Sequence, residues 1–249
     1  QFPQCLAQAA VSVGAVAGLV FIERVRNPFT GELFAFPMPM VWGLTLLWLI
    51  GMMNTVNFLD GLDGLSAGVG AIVSIVLVVH MLRVGQYGPA LLPLALLGTL
   101  LGFLPFNFSP ARIHMGSGAV TLGYLIATLS LVGGARVATV ALVMGIPIVD
   151  VAWQILNRWR HGRSMNEGDR GHLHFRLQDL GLPQRRVVVG YWLFCALLGA
   201  LALVVSSRLY KAVAIVVLAG SVMAALTWLS RRADEGRTTN DDGRLTPDV

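Results

Sequence analysis

Long apolar stretches, separated by short polar segments, recur along the chain until about residue 230. Eight of them are 15 to 20 residues long, and a helix needs about 20 residues to cross the hydrocarbon core of a bilayer. They are apolar on every side rather than along one stripe, which is typical of helices packed in lipid. The pattern predicts eight transmembrane helices at residues 6–22, 40–56, 66–82, 89–104, 118–132, 137–156, 187–205 and 212–229.

The composition excludes an ordinary soluble domain. Hydrophobic residues make up 55% of the 249 residues and charged residues only 12%, whereas an average soluble domain is about 25% charged. The two cysteines, Cys5 and Cys195, lie in apolar runs, so a disulfide-stapled fold is excluded as well. We therefore predict an all-α, polytopic membrane helix bundle over residues 1–230 and a polar, disordered cytoplasmic tail at 231–249.

Basic residues are unevenly divided between the two predicted membrane faces. With eight spans, 12 Lys and Arg residues fall on the side that holds both termini and the segments 57–65, 105–117 and 157–186, and 6 fall on the other side. Cytoplasmic loops carry the excess of Lys and Arg, so the first side is predicted to be cytoplasmic. The same bias accounts for the net charge of +5 without a nucleic-acid partner.

The most informative polar segment follows the second predicted span. It reads Asn-Thr-Val-Asn-Phe-Leu-Asp-Gly-Leu-Asp-Gly-Leu from Asn54 to Leu65. Asn54, Asn57 and Asp60 are three residues apart and share one helical stripe, which Asp63 extends if the helix continues. Acidic groups at a membrane border are costly unless they are hydrated, paired or bound to metal, and such oxygen ligands suit Mg²⁺. An ordinary Asn/Asp/Gly turn is the alternative, but the repeated spacing favours a functional site.

A second polar segment lies in the predicted loop at 157–186, where Gly-Asp-Arg-Gly-His-Leu-His-Phe-Arg-Leu ends at Leu177. His172, His174 and Arg176 alternate, so an extended segment presents all three on one face. Imidazole and guanidinium groups together suit a phosphate or a nucleotide. A zinc site is disfavoured because no cysteine lies nearby in the sequence. A basic loop held by anionic headgroups is a rival explanation for the flanking arginines.

Two weaker candidates complete the polar set. The segment 106–118 ends in Gly-Ser-Gly at the start of a predicted span, a turn that can bind phosphate, and Arg112 and His114 add charge to it. Asp150 lies inside the sixth predicted span, where an acidic residue is either functional or paired with a neighbouring helix. For Asp150, pairing is the favoured interpretation.

Together, these segments resemble those of the polyprenyl-phosphate N-acetylhexosamine-1-phosphate transferase family, which includes the phospho-N-acetylmuramoyl-pentapeptide translocase. The resemblance rests on residues 54–65, 105–123, 145–150 and 168–177, which occur in the family's order. The histidine segment, with Gly-Asp-Arg-Gly before it, looks more like the GlcNAc-1-phosphate branch of the family. Members of that branch start bacterial cell-surface polymers.

By that resemblance, the chain would transfer an N-acetylhexosamine-1-phosphate from a UDP-sugar to undecaprenyl phosphate and release UMP. The branch that it resembles implies that the transferred group is GlcNAc-1-phosphate. Magnesium, or manganese in its place, would be required. The resemblance implies that Asp60 and Asp63 are catalytic and that Asn57 and Asp60 contact the metal. It assigns substrate binding to Asn54, His172, His174 and Arg176. It also implies a multi-pass protein of the bacterial plasma membrane, with its active site on the cytoplasmic face, and it allows a homodimer.

The chain departs from the family pattern at two places. The family has an Asp-Asp pair before the span that matches residues 6–22, and this chain begins after that point. The family also has Gly-Asp-x-Gly where this chain reads Met-Gly-Ser-Gly from Met115. A catalytically disabled or truncated member, with weak substrate binding or no turnover, is therefore an alternative prediction. A multi-pass transporter is a further alternative, disfavoured because the polar groups lie at one border rather than at the bilayer midplane.

Overall fold

The computed structural model describes residues 2–18, 20–22, 24–26, 32–132, 136–160, 172–205, 213–224 and 227. Ten helices are found there: α1 (Phe2–Ala17), α2 (Met38–Leu59), α3 (Leu65–Arg83), α4 (Tyr87–Asn107), α5 (Gly118–Leu131), α6 (Val137–Val143), α7 (Gly145–Arg160), α8 (Leu173–Asp179), α9 (Gln184–Val204) and α10 (Val213–Ala224). A short antiparallel hairpin joins β1 (Arg24–Arg26) to β2 (Leu33–Ala35). The helical class is confirmed. The hairpin was not predicted, because strands of three residues leave no periodic signal.

Four helices are long and apolar enough to cross a membrane, namely α2, α3, α4 and α9. They confirm the predicted spans that begin at residues 40, 66, 89 and 187. The sixth predicted span is divided between α6 and α7, which are bent by 80°, so it adds a fifth span only if the pair is taken as one. The other three predicted spans correspond to shorter apolar helices, and the total of eight is not confirmed within the described ranges.

The sequence contains the cause of the bend between α6 and α7. Proline has no backbone N–H and cannot make the hydrogen bond to the residue four positions earlier, but it is tolerated in the first turn of a helix. Pro147 is the third residue of α7, and the residue four positions before it, Val143, is the last of α6. The apolar run is therefore continuous in composition but interrupted in its backbone.

The first predicted span is wrong at both ends. Helix α1 begins at Phe2 and ends at Ala17, whereas the apolar run suggested residues 6–22. At Ile22 the backbone N–H donates to the side-chain oxygen of Thr45 on α2, at 3.0 Å. A hydroxyl on the next helix thus replaces the helical hydrogen bond that continuation of α1 would have provided.

The core lies around α3, which is the most buried of the four long helices. It packs against α4 and α9, and α2 packs against α5. The crossing of α2 and α5 is close because Gly123 has no side chain: a Cβ there would lie 2.6 Å from the Met52 carbonyl oxygen. Small residues allow such close backbone contact between membrane helices.

Several helix ends meet on one side of the bundle. The turn of residues 60–64 joins α2 to α3, and residues 108–117 join α4 to α5. The backbone N–H of Gly64 donates to the Asn107 side chain at 3.1 Å, which ties these two connections together. Arg185, at the start of α9, donates through Nε to the Ser109 carbonyl oxygen at 2.9 Å. The predicted segments 57–65, 105–117 and part of 157–186 therefore lie at the same end.

Candidate active site

The two carboxylates of the first motif lie in the tight turn between α2 and α3. Asp60 caps the C-terminus of α2, and its backbone N–H donates to the Val56 carbonyl oxygen at 3.1 Å. Gly64 precedes α3 with a φ of +82°, a left-handed conformation that favours glycine. The turn therefore reverses the chain at once and keeps Asp60 and Asp63 at the same end of both helices.

Asp60 is partly buried and is held by two hydrogen bonds. The Ser66 hydroxyl donates to its Oδ1 at 2.5 Å, and the backbone N–H of Gly116 donates to the same carboxylate. Burial raises the pKa of Asp60 above its ordinary value, while these two hydrogen bonds and the nearby His114 oppose the shift. Because burial has the largest effect, the ionised carboxylate is under-solvated and favours a nearby cation.

The side chain of Asp63 is 24% exposed and contacts the connection between α4 and α5. Its Oδ2 accepts a hydrogen bond from the backbone N–H of Ala111 at 3.1 Å. Its Oδ1 lies 3.7 Å from Nδ1 of His114, whose side chain is 76% exposed. The segment predicted as a phosphate-binding turn thus contacts both carboxylates, through Ala111 and His114 at Asp63 and through Gly116 at Asp60.

Asn107, at the C-terminus of α4, organises this end of the bundle. Its side-chain oxygen accepts from the Gly64 backbone N–H, and its Nδ2 donates to the Ile113 carbonyl oxygen at 3.0 Å. Its side chain is buried, at 2% exposed. A buried amide with both ends satisfied orients its neighbours, because either unmade hydrogen bond would be costly.

A cavity of about 340 Å³ opens between these groups and is lined by Asp60, Asp63, Asn107, His114 and the backbone near Gly116, among others. Its volume is within the range of small-molecule sites. Within the described part of the chain, no group of three or more His, Cys, Asp and Glu residues is arranged to hold a metal ion. Two carboxylates nevertheless fit Mg²⁺, which keeps several waters and is usually bound by one or two carboxylates and substrate phosphates.

The histidines of the second motif are buried. His172 precedes α8, and its Nδ1 lies 2.9 Å from Oδ2 of Asp150 on α7. The other oxygen of Asp150 accepts the Leu173 backbone N–H at 3.0 Å. The predicted pairing of Asp150 is confirmed, with its partner on the segment that leads into α8 instead of within a neighbouring span.

His174 lies beneath the turn that carries the carboxylates. It is 1% exposed, and burial lowers the pKa of its imidazole to about 4, so the ring is neutral near pH 7. A Cβ on Gly61 would lie 2.7 Å from its Nε2 and 2.8 Å from Cζ of Phe175. The space that Gly61 leaves open is thus filled by α8. Among the described residues, Nε2 of His174 has no hydrogen-bond partner.

The remaining predicted site residues do not line the cavity. Asn54 exchanges hydrogen bonds with the side chain of Gln8 on α1, the shorter at 3.3 Å, and donates to the Ile50 carbonyl oxygen at 3.0 Å. Asn57, one helical turn before Asp60, and Arg176 on α8 are both partly buried. Residues 161–171, with Gly168, Asp169, Arg170 and Gly171 of the second motif, lie outside the described residues, as does the predicted tail at 231–249.

Sequence reasoning missed Asn107 and Ser66. Asn107 had a usable signal, since it is a lone amide at the end of an apolar run, inside a segment already considered for phosphate binding. Ser66 had none, because a serine within an apolar helix is more often bonded to its own backbone. Its contact with Asp60 follows from the turn that places Asp60 six residues earlier against the first turn of α3.

These observations define a class: an apolar helical membrane protein with a carboxylate-lined cavity at one end of its bundle. A family comparison refines that class. The chain belongs to glycosyl transferase family 4, whose family model matches residues 1–134. That match includes both cavity carboxylates and the connection between α4 and α5.

Curated relatives come from several bacteria. The protein named "Probable undecaprenyl-phosphate N-acetylglucosaminyl 1-phosphate transferase" of Bacillus subtilis (strain 168) is 34% identical over 209 residues, which cover 81% of this chain and 58% of the relative. A decaprenyl-phosphate N-acetylglucosaminephosphotransferase of Mycobacterium tuberculosis (strain CDC 1551 / Oshkosh) is 34% identical over 170 residues, covering 60% of this chain and 42% of the relative. The chain thus spans about half the length of these relatives.

A third relative represents another named activity. A phospho-N-acetylmuramoyl-pentapeptide-transferase of Anoxybacillus flavithermus (strain DSM 21510 / WK1) is 33% identical over 121 residues, covering 46% of this chain and 37% of the relative. The predicted family is confirmed. The Bacillus and Mycobacterium relatives match more of this chain than the Anoxybacillus relative does, and both are named as polyprenyl-phosphate GlcNAc-phosphate transferases.

Proposed function

We propose that this chain transfers GlcNAc-1-phosphate from UDP-GlcNAc to undecaprenyl phosphate and releases UMP. The observation that carries the proposal is the cavity that Asp60 and Asp63 line at one end of an apolar bundle. The names of the relatives support the class of acceptor and of transferred group. UDP as the nucleotide part of the donor is our own assignment, from the chemistry of the reaction and the sequence resemblance.

The position of the cavity suits a reaction between a lipid and a water-soluble nucleotide. The apolar surfaces of α2 and α4 can lie in the acyl chains, as their exposed Leu47, Leu101 and Phe106 indicate. A polyprenyl tail in the bilayer would then bring its phosphate to the membrane border, where the carboxylates lie. The excess of Lys and Arg on this side supports a cytoplasmic location.

The proposed reaction is a phosphoryl transfer. An oxygen of the lipid phosphate attacks the phosphorus that carries the sugar, a new P–O bond forms, and the bond from that phosphorus to the UMP oxygen breaks. UMP leaves with the bonding electrons as its phosphate. Such reactions depend mainly on position and on stabilisation of charge, so we propose that Asp60 and Asp63 fix the reacting groups within the cavity.

Counter-charge is needed because two anionic reactants meet beside two carboxylates. We propose that Asp60, with Asn57 one turn earlier on α2, holds Mg²⁺ or Mn²⁺, and that Asp63 is the second catalytic carboxylate. When bound, the metal supplies positive charge to the diphosphate. The raised pKa of Asp60 supports this choice, because a cation offsets the cost of its burial.

Substrate binding is assigned to the segments around the turn. We propose that Arg176, which is partly exposed, and Asn54 contact the substrates, and that His172 and His174 belong to the nucleotide side of the site. The two histidines are 5% and 1% exposed, so their part in binding includes supporting the turn from beneath.

The architecture of the whole protein is also a proposal. We propose that the chain has eight spans, that residues 1–230 form a single helical domain and that the protein is a homodimer.

The test is release of UMP by membranes that contain the chain, supplied with Mg²⁺, undecaprenyl phosphate and UDP-GlcNAc. We expect Asp63→Asn to lower release by at least about 100-fold, because a charged group at the reacting centre is lost. The matched control is Asp179→Asn, the same change at an exposed acid on α8 away from the cavity. Equal activity of both variants would contradict the assignment.

A variant with one inserted residue distinguishes an active transferase from the main alternative, a catalytically disabled member of the family. If the chain is a catalytically disabled member, the chain as it stands releases no UMP, and insertion of an aspartate between Gly116 and Ser117 restores release. If the insertion lowers activity instead, the hydrogen bond from the Gly116 backbone N–H to Asp60 is part of a working site. Uptake of a solute without UMP release would favour the transporter.

A further inference from the structure

One carboxylate on α7 holds two groups of the histidine segment. Asp150 is 4% exposed, its Oδ2 lies 2.9 Å from Nδ1 of His172, and its Oδ1 accepts the Leu173 backbone N–H at 3.0 Å. Both oxygens are thus used by consecutive residues that lie more than twenty positions further along the chain. The contact between Asp150 and His172 is buried, and the one with the Leu173 N–H is partly buried.

Helix α8 depends on such support. It has seven residues, and a helix this short is unstable alone. The first backbone N–H groups of any helix lack internal partners, and a carboxylate near them is favourable. His172, at the cap position, makes no side-chain cap of its own, so the acceptor comes from α7.

The contacts continue from Asp150 to the carboxylate-bearing turn. The ring of His172 stacks on that of His174, with centroids 5.6 Å apart and 9° between the planes. His174 and Phe175 then fill the space beneath Gly61, between the two cavity carboxylates in sequence. A shift of the first turn of α8 therefore moves the surface on which Asp60 and Asp63 rest.

We propose that Asp150 is a positioning residue of the active site: it fixes His172 and the start of α8, and through them the support of the Asp60–Gly64 turn. This role deepens the proposed transferase function and rests on it. Asp150 touches neither substrate. Its effect reaches the reaction through the packing of His174 and Phe175 against Gly61.

The experiment compares three variants of the full chain in membranes. Asp150→Ala removes both contacts. Asp150→Asn keeps an oxygen for the Leu173 N–H and offers an amide N–H to Nδ1 of His172, so it serves as the conservative rescue. Gln154→Leu is the matched control, because Gln154 is buried one turn later on α7 and its side-chain atoms have no partner among the described residues.

The first measurement reports position without relying on catalysis. Diethyl pyrocarbonate labels exposed imidazoles, and mass spectrometry gives the labelling rate at each histidine. In the parent chain we expect slow labelling of His172 and His174 and fast labelling of His114, which is 76% exposed. In Asp150→Ala, labelling of His172 and His174 should rise about tenfold, since a buried hydrogen-bonded group is released. Asp150→Asn should show a smaller rise and Gln154→Leu none.

The second measurement is the kinetics of UMP release. We expect kcat to fall about tenfold in Asp150→Ala, as for other residues that orient a reacting group. The KM for undecaprenyl phosphate should not change, and Asp150→Asn should recover most of the loss. A merely structural role would lower the amount of active protein in Asp150→Ala and leave kcat per active molecule unchanged.

The outcomes separate the two proposals. If His172 and His174 stay protected in Asp150→Ala, or if they become labelled while kcat is unchanged, the positioning role is overturned. If the parent chain releases no UMP but labelling follows the expected order, the transferase function fails while the structural part of the inference stands. If Asp150→Ala does not accumulate in membranes, Asp150→Ser decides, because its short hydroxyl cannot hold both His172 and the Leu173 N–H; labelling and kcat equal to those of the parent would then overturn the role.

Discussion

At the scale of single residues, Asp60 combines burial with charge. Burial raises the pKa of its carboxyl, so Asp60 favours folding most when it is protonated, and this contribution is lost as the pH rises through the raised pKa. We therefore expect Asp60→Asn, measured near pH 7 without divalent ions, to unfold at a higher Tm than the parent in detergent. The same variant should lose UMP release.

The assignment of Asp60 to the metal site can be tested by the effect of Mg²⁺ on Tm. A ligand that binds only the folded state raises Tm, so Mg²⁺ should raise the Tm of the parent and of Asp179→Asn but not that of Asp60→Asn. An equal Mg²⁺ shift in all three proteins would remove Asp60 from the metal site. The readout does not depend on turnover, so it also applies if the chain is catalytically disabled.

His174 predicts how stability responds to acid. Burial lowers the pKa of the folded imidazole to about 4, against an ordinary value of 6.5. Between these pH values the unfolded chain binds more protons, so the free energy of unfolding falls as the pH is lowered. We expect the Tm of His174→Leu to fall less than that of the parent when the pH is lowered from 7 to 5. Gln154→Leu, a buried change without a titrating group, should keep the dependence of the parent, and an unchanged slope in His174→Leu would contradict the buried, neutral ring.

The sequence predicted the acidic residues of the cavity but not the groups that hold them. Asp60 and Asp63 stood out because acids are rare at the end of an apolar run, and both line the cavity. Asn107 did not, since its function depends on α4 returning its C-terminus to a turn more than forty residues earlier. Asn54 and Asn57 share the predicted stripe with Asp60, but they are not among the residues that line the cavity.

At the scale of elements, the contact of α8 with the α2–α3 turn depends on the missing side chain of Gly61. A methyl group there would lie 2.7 Å from Nε2 of His174 and 2.8 Å from Phe175, and must displace α8 or the turn. We expect Gly61→Ala to lower the rate of UMP release by at least about tenfold, because small misplacements of reacting groups are costly. Helix content, measured by circular dichroism, should stay the same.

A second glycine provides the control for that prediction. Gly98 lies within α4, and a Cβ there would meet nothing within 4 Å. Alanine is favoured over glycine inside a helix by about 1 kcal/mol, so Gly98→Ala should keep the parent rate and a Tm at least as high. Equal rates in Gly61→Ala and Gly98→Ala would show that α8 does not support the turn.

The lengths of the apolar runs predicted where helices occur better than they predicted where those helices end or bend. The runs at 40–56, 66–82, 89–104 and 187–205 each coincide with a long helix, and these helices extend beyond the predicted bounds at every end except the last, where α9 stops at Val204. The run at 137–156 does not form one straight span, although Gly145 and Pro147 were visible in it. Hydropathy counts the solvent preference of side chains, whereas a bend depends on one missing backbone hydrogen bond.

At the scale of the whole molecule, the orientation in the membrane can be tested with single cysteines. Val84, after α3, and Leu180, after α8, are 53% and 66% exposed and lie at opposite ends of the bundle. In a Cys5→Ser background, we expect a membrane-impermeant maleimide to label Leu180→Cys in inverted vesicles and Val84→Cys in intact cells. The reverse pattern would place the candidate active site outside the cytoplasm.

The sequence alone determined that this protein is a bundle of apolar helices, which family it resembles and where its acidic residues collect. These properties follow from composition and from short motifs, because burial in lipid and the chemistry of a carboxylate are properties of local sequence. Only the tertiary structure decided which groups meet: Ser66 and Gly116 at Asp60, Ala111 at Asp63, and Asp150 at His172. Most of these contacts join segments tens of residues apart, and their geometry is set by how closely the helices pack, which a pattern of hydrophobic and polar positions does not encode.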